Sequence, residues 1–218
     1  MMESFVNPKI QLDPRLWTPP ETVVSQGPHR EESAIQSLEL PNLARVSALL
    51  KDRELKFPEI QSVYQVMRAD CAKTKHALSQ IWEVALGIPT KSLALPVRRL
   101  HVRYQTAYGT LLMLAIILNA TLLMHNPSDR SLAEESALFV DEVIALAQQA
   151  SQYRPLGSSG TPLYLVAASA VSNDVPKQIQ LEKMLAEYGT DFTSTRWLHI
   201  TNKLRAKLRK FKFDSSNS

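Results

Sequence analysis

The sequence predicts an all-α fold, an irregular multi-helix bundle around a long apolar central helix. Three observations carry this. Apolar side chains recur at helical spacing over most of the chain, and no segment alternates at the period of two that a half-buried strand needs. Glycine is scarce, 6 of 218 residues. The 13 prolines sit at segment starts and ends and in an N-terminal cluster, where they punctuate helices instead of interrupting them.

Residues 1–42 read as a Pro-rich extended or disordered arm. Pro8, Pro14, Pro19, Pro20 and Pro28 each remove a backbone donor and restrict the preceding residue. An all-helical domain is expected over 43–212 and a disordered tail over 213–218. Leu43, Val46, Leu49 and Leu50 mark a first helix reaching about Leu55. Pro58 can open the next, over 59–86, with Ile60, Val63, Tyr64, Met67, Cys71, Leu78, Ile81, Trp82 and Ala85 as its stripe; Gly87 and Pro89 stop it. Pro96 suits the first turn of a helix over 97–125, basic and aromatic in its first half and apolar in its second. The apolar stretch 107–124, which also carries Tyr108, Gly109, Thr110, Asn119 and Thr121, approaches the length of a membrane span. Amphipathic neighbours make a buried core helix the expected reading, because a helix without a solvent face is apolar all round.

Asn126-Pro127 ends that helix, and Ser131 with Glu134 matches a capping box opening another that reaches about Gln152. Its expected inner face is Leu132, Phe139, Val140, Val143, Ala147 and Ala150, and its outer face Glu135, Glu142 and Gln149. Residues 154–162, Arg-Pro-Leu-Gly-Ser-Ser-Gly-Thr-Pro, form a loop by composition. A small apolar helix over 162–172 follows. Asp174 and Pro176 start the next, with Ile179, Met184, Leu185 and Tyr188 inside and Gly189 at its end. Ser194 caps a last helix, over 195–212, whose inner line is Trp197, Ile200, Leu204, Leu208 and Phe211.

Charge is unevenly placed. The chain carries +4 overall, but residues 194–218 hold Arg196, Lys203, Arg205, Lys207, Arg209, Lys210 and Lys212 against Asp214 alone, a local +6 that leaves −2 for the rest. A uniformly basic nucleic-acid-binding domain is therefore not expected. Lys203, Arg205, Lys207, Arg209, Lys210 and Lys212 form a candidate basic patch, or else the solvated face of an ordinary terminal helix. Cys71 is the sole cysteine, so neither a disulfide scaffold nor a multi-cysteine zinc site can be built. The five histidines never pair at i,i+4, and HExxH, CxxC, a phosphate-binding Gly-rich loop and a nucleophile elbow are absent. No catalytic residue, cofactor-binding residue or metal ligand is assigned, and no enzyme is expected. The start of the chain shows no secretory pattern, so an intracellular, non-secreted protein is expected.

Residues 97–192 carry a further pattern. Leu100-His101-Val102-Arg103-Tyr104-Gln105 leads into the apolar run ending Ile117-Leu118-Asn119; Glu134-Glu135, Asp141-Glu142 and Tyr153-Arg154-Pro155-Leu156-Gly157 follow, then Pro162-Leu163, Leu185-Ala186-Glu187-Tyr188 and Asp191-Phe192. This resembles the C-terminal helical regulatory region of fungal-specific zinc-cluster transcription factors, over roughly 60–198. The resemblance implies a non-catalytic domain regulating transcription in the nucleus through protein or effector binding. It implies transcriptional co-regulators or a metabolite effector as partners, and a homodimer is possible. It brings no functional residue to a named position. The family's six-cysteine zinc cluster cannot lie in a chain with one cysteine, so no zinc cofactor is expected and DNA would be reached only through a module missing here. Arg99, Arg103, Tyr104, Arg154, Ser158 and Ser159 are the candidate contact surface. Two alternatives are a small-molecule-binding or enzymatic domain with a pocket lined by Tyr104, Tyr108 and loop 154–162, and a membrane-associated protein using helix 107–124.

Overall fold

The structure, a computed structural model, describes residues 35–51, 56–85, 94–191 and 195–214, apart from the side chains of 36, 40, 84, 85 and 209–214. The described residues form α1 (Leu40–Leu49), α2 (Phe57–Ala85), α3 (Leu95–His125), α4 (Arg130–Ala150), α5 (Thr161–Val171), α6 (Val175–Gly189) and α7 (Trp197–Asp214), with single 3₁₀ turns at Gln36–Leu38, Ser151–Tyr153 and Leu156–Ser158. No strand occurs among them. The expected all-α bundle is the one observed.

Proline opens α1, α3, α5 and α6 from their first two positions, where its missing N–H costs nothing. Asp174 caps α6 as expected, its carboxylate accepting from the Lys177 N–H at 3.0 Å. The cap of α4 is a correction. Asp129 accepts from the Leu132 N–H at 3.0 Å, and Ser131 lies inside the first turn. The expected Ser131–Glu134 box does not form; Glu134 instead pairs with Arg130 at 2.8 Å. Asp129 stands two residues earlier, and a carboxylate there meets both the free N–H groups and the positive helix end.

Several boundaries also move. Residues from 35 on already pack on the bundle, ahead of the arm's expected end at 42: Ser37 is buried on α2, its N–H and hydroxyl both donating to Asp70, at 3.1 and 2.6 Å. Helix α7 starts at Trp197 and continues to Asp214, into the expected tail. The stops at Gly87 and Pro89, the Ser194 cap, the Pro-rich stretch 1–34 and residues 215–218 lie outside the described residues.

Helix α3 is the axis. It packs against α2, α4, α5 and α7, so Leu111 to Asn119 is buried without a break. Its most apolar 18-residue window, with mean hydropathy 1.9, is 78% buried inside the bundle. Each leucine or isoleucine so enclosed is worth about 1.5–3 kcal/mol. Leu112 and Ile116, which a membrane span would turn to lipid, are 0% exposed. Helix α5 is the second enclosed rod, with nine of its 11 residues buried between α3, α4, α6 and α7.

The two rods approach closely at Gly109 of α3. A Cβ there would stand 2.3 Å from the Tyr164 ring of α5. That ring is 3% exposed and held by a 2.7 Å hydrogen bond between the Tyr164 and Thr161 hydroxyls, so it has nowhere to retreat. Polar groups join the layers elsewhere. The Asn119 amide donates to the Tyr64 hydroxyl at 2.8 Å and to the Leu132 carbonyl at 3.1 Å. Tyr64 donates in turn to the Glu135 carboxylate, which Arg68 also engages at 2.5 Å. Burial and the Glu135 bond both raise the Tyr64 pKa. Glu135, expected on the outer face of α4, is therefore turned onto α2. Ile179, expected inside α6, is 65% exposed, and Leu181, Leu185 and Tyr188 take the inner positions.

Gly109→Ala gains about 1 kcal/mol of helix propensity but forces the Tyr164 ring aside, which costs about 1–3 kcal/mol. The expected net is a destabilised protein, read as a lower urea midpoint; a higher one would refute the close packing. Tyr64→Phe takes one partner each from the Asn119 amide and the Glu135 carboxylate, which keep Leu132 and Arg68, and should lower stability by about 1–3 kcal/mol in the same assay.

Candidate functional site

The ends of α3, α4 and α5 do not close fully on α7. Their side chains enclose a surface cleft of about 210 Å³. Small side chains leave the space: Ala120 on α3, Ala133 and Ser136 on α4, Ala170 on α5. Leu123, Met124, Val171 and Leu208 form its apolar wall. Ser172, Asn173 and Arg205 supply most of its polarity.

Arg205 is held by the end of α5. The last carbonyls of a helix have no intrahelical partner, and a cation there also meets the negative end of the dipole. Three carbonyls at this end find donors. Ser172 N–H donates to the Ala168 carbonyl at 3.0 Å, the Gln178 amide donates to the Ser172 carbonyl, and Arg205 Nη2 donates to the Ser169 carbonyl at 2.8 Å. Arg205 Nη2 also reaches Ser169 Oγ at 3.2 Å and Glu182 at 3.5 Å. Its Nε is buried without a partner. A smaller cleft of about 100 Å³ lies between α1 and α2, beside Ser37, Asn42, Arg45 and Met67, where Arg45 pairs with Glu59 at 3.0 Å.

The expected contact surface divides. The 151–160 segment does pack on the first half of α3. The Tyr153 hydroxyl bonds His101 Nδ1 at 2.8 Å, and Val102 lies 3.5 Å from where a Gly157 Cβ would be. Tyr104 is half-buried against the core, while Arg99, Arg103 and Ser159 are exposed. Ser158 is buried, with its hydroxyl unpartnered. Arg154 turns away toward α6. It pairs with Asp191 at 2.6 Å, donates to the Glu187 carbonyl at 2.7 Å and stacks 5.0 Å from the Tyr188 ring. That Arg154 bond holds the Asp191 carboxyl below the usual carboxylate range. Arg154 thus fastens the loop and is a clamp, not a waiting contact residue.

The basic patch divides as well. Lys203 is exposed and Lys207 half-buried, but Arg205 faces inward, which corrects its placement on the solvated face. The side chains of Arg209, Lys210 and Lys212 lie outside the described residues. A signal for Arg205 was present in the sequence. It follows Trp197 and Thr201 at intervals of four and precedes Leu208 by three, so it borders the apolar stripe.

His101 is 1% exposed and lies between the rings of Trp82 and Tyr153, with centroids 5.2 and 5.4 Å away. Its Nε2 has no partner, and burial holds its pKa below the ordinary value. Three other carboxylates are engaged: Glu135 by Tyr64 and Arg68, Asp70 by Ser37, and Glu142 by Lys75 at 2.7 Å. Burial pushes the Cys71 thiol up to about 12, far from an active nucleophile. Among the described residues, no three His, Cys, Asp or Glu side chains stand close enough to hold a metal. No protein-family model, curated protein or solved structure matches the chain.

His101 predicts a pH dependence. Its pKa is lower folded than unfolded, so between those values the unfolded chain binds more protons. Its contribution to stability is whole above the unfolded value near 6.5 and is lost as pH falls toward the folded value. Denaturation from neutral to mildly acid pH should show stability falling by at most about 1.4 kcal/mol per pH unit from this one group. His101→Phe should remove that slope; an unchanged slope would refute the assignment.

Proposed function

We propose that this chain is a non-catalytic regulatory module that acts on transcription by binding, in the manner of the fungal zinc-cluster factor region it resembles over 97–192. The observation that carries the binding reading is the cleft where the ends of α3, α4 and α5 meet α7. It opens to the surface, mixes apolar wall with neutral polar groups and a single cation, and has no carboxylate, histidine or cysteine in its lining. The all-helical architecture accords with the resemblance. Tight engagement of Glu135, Asp70 and Asp191 in structural pairs supports binding over catalysis, since a catalytic carboxylate must be free to exchange a proton.

On this reading the chain works in the nucleus beside a DNA-binding module. Its effect is to change the exposure of a partner surface when the cleft or the adjoining helix ends are occupied. Fusion of the full chain to an unrelated sequence-specific DNA-binding domain tests this. Reporter expression should shift severalfold, up or down, relative to the DNA-binding domain alone. Expression equal to that baseline would overturn the regulatory reading.

A further inference from the structure

We propose that the α3–α4–α5–α7 cleft binds a short aliphatic monocarboxylate, with its carboxylate on Arg205 and its hydrocarbon chain against Leu123, Met124 and Leu208. This deepens the binding reading above and rests on it.

Size sets the first limit. A dry cavity of about 150 Å³ holds benzene, whereas pockets for drug-sized molecules run about 300–1,000 Å³. At about 210 Å³ the cleft lies between the two and takes a molecule of a few carbons beyond a polar head.

Charge sets the second. Arg205 is the one charged residue among those lining the cleft. Its carboxylate neighbour, Glu182, stands 3.5 Å off and is 44% exposed, so water screens that pair and leaves the cation only partly neutralised. The Arg205 side chain is 18% exposed and its guanidinium is fixed by the Ser169 carbonyl, so it is oriented before any ligand arrives. A guanidinium offers five N–H donors, and the bonds to Ser169 and Glu182 all run from Nη2, which leaves those of Nη1. A carboxylate oxygen there accepts a charge-assisted hydrogen bond, the strong kind. Ser136, Ser172 and Asn173 add neutral polar groups near the head.

The wall sets the third. Leu123, Met124, Val171 and Leu208 offer hydrocarbon and no second cation, so a dicarboxylate or phosphate would strand charge against them. One acid group on a short hydrocarbon chain satisfies all three limits.

The test uses the full chain and hexanoate, with hexanol and hexylamine as matched neutral and cationic probes. Titration is followed by the methyl resonances of Leu123, Val171 and Leu208. Hexanoate should bind saturably in the millimolar range or tighter, and hexanol about tenfold or more weakly, as expected for loss of one charge-assisted hydrogen bond. Arg205→Gln should weaken hexanoate by a similar factor. Because Arg205 also caps α5, Ala133→Leu supplies the second variant: it fills the cleft from an exposed helix position and leaves Arg205 in place. It should abolish hexanoate binding at unchanged thermal stability. Absence of saturable hexanoate binding, equal binding of hexanol, or binding that survives Ala133→Leu would overturn the proposal. Hexanoate binding beside a silent reporter upholds the site and removes the regulatory reading; a responsive reporter without hexanoate binding removes the site and leaves that reading.

Discussion

The rest of this structure depends on the enclosure of α3. Nine consecutive residues, Leu111 to Asn119, are buried on every side. A helix of that kind cannot border water, so neighbours must cover it all round, and α2, α4, α5 and α7 do so. The outer neighbours α2, α4 and α7 in turn need only one apolar stripe each. That is why α4 is amphipathic while α3 and α5 are not. Hydrophobic burial supplies the energy, but it does not set the register between helices. The Asn119–Tyr64–Glu135 chain of hydrogen bonds and the Gly109–Tyr164 contact do, because each tolerates one placement of α3 against α2, α4 and α5.

Enclosing a long helix among shorter ones leaves their ends to be resolved. At the end of α5, carbonyls are met by the cap residue Ser172, by Gln178 on the next helix and by Arg205 from 36 residues away. The same convergence leaves the cleft, because Ala120, Ala133 and Ala170 are too small to fill the gap between four diverging helices. A guanidinium fixed as a helix cap and also facing a half-apolar space links the architecture to its proposed ligand chemistry. The opposite end of α3 is resolved differently. There His101, Tyr153 and Trp82 stack under the 151–160 segment, and Arg154 ties that segment to α6.

Much of the fold was legible in the amino-acid order. The prolines at 58, 96, 162 and 176 fall within the first two positions of their helices, and the stripe Ile60–Tyr64–Met67–Cys71–Leu78 is buried as its spacing predicts. Misread positions share a cause: a competing partner from a distant segment. Ser131 lost the cap to Asp129, Glu135 was drawn inward by Tyr64 and Arg68, and Ile179 was left outside because Leu181 and Leu185 already filled the face toward α5 and α7. For the site, the sequence pointed to residues 154–162 and to a basic last helix, and it placed Arg154 and Arg205 on surfaces. Both guanidiniums instead bond backbone carbonyls, of Glu187 and Ser169.

By itself the sequence determined the helical class, the identity of the central helix and the exclusion of a cysteine-rich metal site from this chain. Those follow from periodicity, from an apolar run with no solvent face and from a single cysteine. Only the tertiary structure decided which polar groups are spent inside the protein and which remain for a ligand. The physical reason is that a side chain's partner comes from any helix that reaches it, and unfilled space exists only where several helices meet. Helical spacing reports the face a residue occupies on its own helix. It is silent on the carbonyl that Arg205 finds 36 residues away, and on the gap beside it.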